Sequence, residues 1–168
     1  MTAPTSIYLH IPFCTHRCAY CDFNTYAKQE SLMPAYVEAL CAEIEYAGRA
    51  AREKITAHTV FFGGGTPSLL SAEQFERILR RLRESFHLQE EAEISIEANP
   101  GTVSAEGLRR LREAGINRIS FGVQSANTEE LRMLERIHDF SDVMDAVRWA
   151  RSAGFDNLNL DLIYGLPG

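Results

Sequence analysis

The sequence predicts an α/β fold built on parallel strands, and three observations carry that reading. Short strand candidates are followed in turn by helical stretches or turns along the whole chain, an order that calls for parallel strands joined by right-handed crossovers. The strands alternate apolar and polar residues where parallel strands covered on both faces would be apolar throughout, so one face meets helices and the other is polar. A polar, glycine or cysteine motif stands at the C-terminal end of every strand candidate, the end at which parallel α/β sheets bind ligands. A polar inner face suits a barrel-like curve around a polar ligand better than the packed apolar lumen of a closed eight-stranded barrel.

Residues 6–11 form the first strand, with Ile7, Leu9 and Ile11 on one face and Tyr8 and His10 on the other. A helix follows over about 34–52, where Val37, Leu40, Cys41, Ile44 and Ala47 recur at the spacing of a buried stripe. Cys41 is therefore a core residue. The second strand covers 59–62. Ser71, with Gln74 three residues on, has capping-box spacing and opens a helix that turns Phe75, Ile78, Leu79, Leu82 and Phe86 inward. In the third strand, 93–97, Ile94 and Ile96 oppose Ser95 and Glu97. A helix over 104–114 stops at Gly115. The fourth strand, 118–124, sets Ile119, Phe121 and Val123 against Ser120, Gly122 and Gln124. One helical stretch follows Asn127, and Ser141 is read as the cap of another that buries Val143, Ala146, Val147 and Ala150 before Gly154. The fifth strand, 157–162, opposes Leu158, Leu160 and Leu162 to Asn157, Asn159 and Asp161.

Composition narrows the class. The 168 residues are 45% hydrophobic and 24% charged, which excludes a disordered or collagenous chain. Seventeen Lys and Arg against 23 Asp and Glu give a net charge of -6, so no nucleic-acid partner is expected. No apolar run approaches the roughly 20 residues of a membrane span, and residues 1–6 show no secretory pattern. The expectation is a cytoplasmic chain whose four cysteines are reduced thiols or metal ligands. Nothing in it reads as a linker or second domain.

Three of those cysteines, Cys14, Cys18 and Cys21, lie within eight residues directly after the first strand. Four cysteines normally hold a [4Fe–4S] cluster, so three leave one iron open to a ligand that does chemistry. A zinc site completed by His10 or His16, or incidental thiols, are the alternatives. Gly63-Gly64-Gly65-Thr66-Pro67 follows the second strand and lets backbone approach a bound polar group, although a glycine run is equally a tight turn. Glu97, Gln124 and Asp161 end the third, fourth and fifth strands on the polar face. By itself, Arg136 is an ordinary surface arginine; His58, His87 and His138 carry no metal-ligand spacing and read as structural.

The CxxxCxxC spacing, with Tyr20 just before the third cysteine, resembles the radical S-adenosylmethionine (SAM) proteins. Tyr8-Leu9-His10-Ile11-Pro12-Phe13-Cys14, Gly63 to Pro67, Gly122-Val123-Gln124-Ser125 and Asp161-Leu162-Ile163-Tyr164-Gly165-Leu166-Pro167 resemble the oxygen-independent coproporphyrinogen III oxidase group within it. The resemblance implies a [4Fe–4S] cluster on Cys14, Cys18 and Cys21. It implies SAM contacts from Tyr8, Tyr20, Gly64, Gly65, Thr66, Glu97, Gln124, Arg136 and Asp161. The implied chemistry is one-electron cleavage of SAM to a 5′-deoxyadenosyl radical that abstracts hydrogen.

One departure separates branches of that group. The oxidases carry a fourth cysteine two residues after the third, whereas Cys21 is followed here by Asp22-Phe23-Asn24. That pattern resembles the heme chaperone branch, which implies heme as cargo passed to a membrane-bound acceptor. The oxidase alternative, a coproporphyrinogen dehydrogenase, implies a porphyrinogen substrate. Either implies an electron donor such as flavodoxin or ferredoxin. The fold implied is a partial TIM-like (β/α)6 radical SAM barrel: residues 1–168 would be its core domain, with five parallel strands and flanking helices present and the sixth strand missing. Five units at about 30 residues each fall short of the roughly 250 residues of an eight-unit barrel. An open sheet edge predicts self-association, a homodimer included.

Overall fold

The computed structural model describes residues 5–167; the N-terminal reading at residues 1–4 and Gly168 lie outside the described residues. Five strands form one parallel sheet in sequence order: β1 (Thr5–Ile11), β4 (Thr56–Gly64), β5 (His87–Ala98), β6 (Arg118–Gln124) and β7 (Asn157–Leu162). The connections run through α1 (Met33–Ala50), α2 (Ala72–Ser85), α3 (Ala105–Ala114), and the pair α4 (Thr128–Met133) and α5 (Phe140–Ser152). Between β1 and α1 lies a small parallel pair, β2 (Phe13–Cys14) with β3 (Tyr26–Ala27). Two residues per strand are too few to show a period, so this pair leaves no pattern in the sequence.

The helices pack on one face only. Ile11, Val60, Phe62, Ile96, Ile119 and Phe121 from the strands are fully buried with Phe75, Ile78, Leu79, Leu82 and Leu108 from the helices. Each side chain so buried contributes about 1.5–3 kcal/mol. Phe62 and Phe75 meet edge to face at 5.0 Å. Cys41 is buried in α1, in the core as its spacing required. At the far edge Leu160 and Leu162 of β7 remain exposed, where no described helix covers them.

The second strand runs over Thr56–Gly64 instead of 59–62, so Gly63 and Gly64 belong to it, and two further boundaries differ for clear physical reasons. The cap of α5 is Asp139, not Ser141: the Asp139 carboxylate accepts from the N–H groups of Ser141 and Asp142 at 2.8 and 3.1 Å, and Asp142 returns the bond to Asp139 N–H at 2.9 Å. A carboxylate satisfies two free amides and complements the positive helix end, which one hydroxyl cannot match. Strand β5 begins at His87 instead of 93, because its first residues pair with Thr56 and Ala57 before the register shifts. Gln89, Glu90 and Glu91 are exposed there, so no apolar alternation marks that half.

The opposite face stacks side chains in rings. Register aligns Tyr8, Phe61, Ser95, Arg118 and Asn157 in one ring across all five strands. Above it, His10 aligns with Gly63, and Glu97 with Ser120 and Asn159. Buried Ser120 donates to Asp161 Oδ2 at 2.8 Å and accepts from Asn159 Nδ2 at 2.9 Å, so its hydroxyl is satisfied inside the polar lumen.

Candidate functional site at the strand ends

The cysteine loop leaves the top of β1. Its two ends are pinned to each other by Tyr26 N–H to Pro12 O at 2.7 Å and Lys28 N–H to Cys14 O at 3.2 Å. The glycine segment crosses it: Gly65 N–H donates to Ile11 O at 2.8 Å and Thr66 N–H to Phe13 O at 2.7 Å. A Cβ on Gly65 would lie 2.5 Å from Phe13 O and 3.0 Å from Cys14 Sγ. Only glycine permits that approach, so the residue is required by contact rather than by a turn.

These segments and the strand ends enclose a cleft of about 340 Å³, within the range of small-molecule sites. Cys14, Cys18, Tyr20 and Cys21 line it with Gly64, Gly65, Thr66, Glu97, Gln124, Arg136 and Asp161. Tyr8 does not. It belongs to the ring below, stacked on Phe61 at 6.2 Å, with its hydroxyl bonded to His10 Nδ1 at 3.0 Å. His16, Arg17, Phe23, Thr25, Ala98, Asn99, Gly122 and Ile163 also line the cleft. Of these, Gly122 and Ile163 stand inside strand-end motifs and Asn99 follows Glu97 by two residues, a signal available in sequence; Thr25 had none.

Each thiol has a polar neighbour. Thr66 Oγ1 donates to Cys14 Sγ at 3.7 Å, Thr25 Oγ1 lies 3.9 Å from Cys21 Sγ, and Arg136 Nη1 donates to Cys18 Sγ at 3.3 Å. Burial pushes the Cys14 thiol above its ordinary pKa, opposed by the bond from Thr66. Arg136 also donates to Gly122 O at 2.6 Å and Tyr20 OH at 3.4 Å, while its Nε is buried without a partner. Burial likewise raises the Glu97 carboxyl; Gly64 N–H, donating to it at 3.1 Å, opposes the shift and the Asp161 charge adds to it. Gln124 adopts φ 70°, a left-handed conformation that costs a non-glycine residue about 1–2 kcal/mol. Ile163 N–H, bonded to Gln124 O at 3.0 Å, holds it there.

Both histidines that would complete a zinc site have other partners in this arrangement. Among the described residues no three His, Cys, Asp or Glu side chains are gathered tightly enough for one metal ion. The His10 ring is bonded to Tyr8 and to Asn24 O, and His16 Nε2 faces Glu135 at 3.5 Å. A four-iron cube, by contrast, spreads its thiolates over separate irons, and three thiols around an open cleft with an unpartnered guanidinium nitrogen fit a cluster that keeps one iron free.

A parallel sheet with helices on one face, a polar lumen on the other and a CxxxCxxC loop at its C-terminal edge define the class, and residues 8–168 match the Radical SAM superfamily, to which the chain belongs. Its similarities are then particular. It is 42% identical over 165 residues to the heme chaperone HemW of Lactococcus lactis, covering 98% of this chain and 42% of the relative. It is 38% identical over 165 residues to the oxygen-independent coproporphyrinogen III oxidase of Synechocystis, covering 98% and 35%. Among solved structures, coproporphyrinogen III oxidase (HemN) from Escherichia coli, a radical SAM enzyme, superposes with a TM-score of 0.88 at 38% identity over 98% of this chain and 38% of that one. The sheet is thus part of a radical SAM barrel, and the chain spans about two-fifths of the length of the curated relatives it matches. No helix among the described residues is long and apolar enough to cross a membrane.

Proposed function

We propose that this chain is the cluster- and SAM-binding part of a heme chaperone, which takes heme as cargo and delivers it to membrane-bound respiratory proteins. The observation that carries the reading is Phe23, two residues after Cys21, where the oxidases carry a further cysteine. Its ring lines the cleft and is largely exposed. Similarity to proteins named heme chaperone, at 38–45% identity, supports it.

In this reading Cys14, Cys18 and Cys21 hold a [4Fe–4S] cluster. When bound, that group supplies one-electron reductive cleavage of the SAM carbon–sulfur bond. The chain's own residues do the rest. Arg136 places positive charge beside Cys18 and offers its free Nε to an anionic group. Gly64, Gly65 and Thr66 let the backbone lie against a ligand, while Glu97, Gln124 and Asp161 present polar groups at the lumen mouth and Tyr20 closes one side. Tyr8 stands in the ring below the cleft, with its hydroxyl bonded to His10. A flavodoxin or ferredoxin is the expected electron donor, and the cytoplasm the expected compartment.

The runner-up is a coproporphyrinogen dehydrogenase, favoured by the 0.88 TM-score to the oxidase fold. Because the relatives are more than twice as long, the test uses the full product of the gene. After anaerobic cluster reconstitution it should bind heme and leave coproporphyrinogen III unchanged in the presence of SAM and a reductant. Formation of protoporphyrinogen IX would overturn the chaperone reading in favour of the oxidase.

A further inference from the structure

We infer that His10 is a positioning residue for the cysteine loop, acting as a latch between the barrel wall and the loop's exit. The inference rests on the reading that Cys14, Cys18 and Cys21 hold a cluster. The loop has little regular backbone structure of its own: Cys21 N–H to Cys18 O at 3.0 Å is an isolated turn inside it. The pairing of β2 with β3 ties its first and last residues together and leaves residues 15–25 outside any strand. Near its exit, the Asn24 carbonyl meets His10 Nε2 at 2.9 Å. A carbonyl only accepts, so Nε2 carries the proton, and in the neutral ring Nδ1 is then the acceptor for the Tyr8 hydroxyl.

The rest of His10 is held as firmly. Its backbone carbonyl accepts from the Tyr36 hydroxyl of α1. Gly64 lies directly on the ring, at φ 115°, where a Cβ would come within 2.6 Å of Cε1 and Nδ1. Wall, glycine segment and loop therefore meet at the ring, and the helix at the backbone, of one residue. Asn24 is three residues after Cys21 and immediately before Thr25, whose hydroxyl neighbours Cys21 Sγ. Holding Asn24 thus holds the third cysteine in register with Cys14 on β2.

The test compares the full-length wild type with His10→Phe, which fills the space without a donor, and His10→Gln, which keeps an N–H directed at Asn24. Hydrogen exchange of the apoprotein and loss of iron to a chelator from the reconstituted protein are both followed. In His10→Phe, the Tyr26 and Lys28 amides, which bond back to Pro12 O and Cys14 O at the loop's exit, should exchange about fivefold faster, the effect of one lost hydrogen bond, with α2 unchanged and iron released faster by a similar factor. His10→Gln should stay close to wild type. Should His10→Phe fail to fold, Tyr8→Phe, which frees Nδ1, should show a smaller acceleration confined to the same amides. Wild-type exchange in His10→Phe, or in Tyr8→Phe where that variant stands in, overturns the latch, and so does His10→Gln behaving like His10→Phe. If the wild type itself takes up no iron, the cluster reading fails and exchange alone decides the latch.

Discussion

Replacing Gly65 by alanine tests the geometry on which the cleft depends. The added methyl would sit 2.5 Å from Phe13 O, and side-chain Cβ atoms are essentially never closer than 3.0 Å to such a neighbour. The two segments must therefore separate by about 0.5 Å. Phe13 O is the acceptor of Thr66 N–H at 2.7 Å, and Ile11 O, also 3.0 Å from the new atom, is the acceptor of Gly65 N–H. Overpacking of this kind costs about 1–3 kcal/mol, and weakening one buried backbone bond adds about 1 kcal/mol. A loss of roughly 2–4 kcal/mol is expected. Urea unfolding of the apoprotein should show a lower midpoint with an unchanged slope, since the area exposed on unfolding is the same. Because Cys14 Sγ lies 3.0 Å from the same methyl, iron bound per chain after reconstitution should fall as well. An unfolding free energy within about 0.5 kcal/mol of wild type, the range of neutral surface changes, together with full iron loading would refute the close approach of the two segments.

Two further outcomes follow from the same site. Cys14→Ala, Cys18→Ala and Cys21→Ala should each abolish cluster uptake, whereas Cys41→Ala, buried in α1, should cost core packing alone and leave iron per chain unchanged; iron loss in Cys41→Ala would show the ligand set to be wrong. Burial raises the Glu97 carboxyl above its ordinary value, so the folded apoprotein binds that proton more firmly than the unfolded chain. Its contribution is fully present below the ordinary carboxylate range and is lost as pH rises through the raised value. Glu97→Gln should remove that slope from urea midpoints measured between about pH 4 and 7, and parallel profiles for the two proteins would rule the carboxyl out as its source.

Much of the architecture was legible in the chain because period-two alternation and helix caps are local signals. Ile94 and Ile96 against Ser95 and Glu97 showed which face of β5 is polar, and Ser71 with Gln74 marked the start of α2 with the capping box that forms. The Asp139 cap was missed because Ser141 offered an equally good local signal two residues on; the competition is settled by geometry at the helix end. The pairing of Phe13–Cys14 with Tyr26–Ala27 was invisible since it joins segments too short for any pattern.

The sequence by itself determined the strand order of elements, the polar inner face, the burial of Cys41 and the concentration of motifs at the strand ends, because each depends on neighbours a few residues away. Tertiary structure alone decided which residues share a contact. It brought Arg136 to Cys18 across 118 positions, laid Gly65 against Cys14 and placed Tyr8 one ring below the cleft, through a strand register that no single strand encodes. Those contacts follow from the parallel stagger of five strands, a property of their packing together and not of any segment alone.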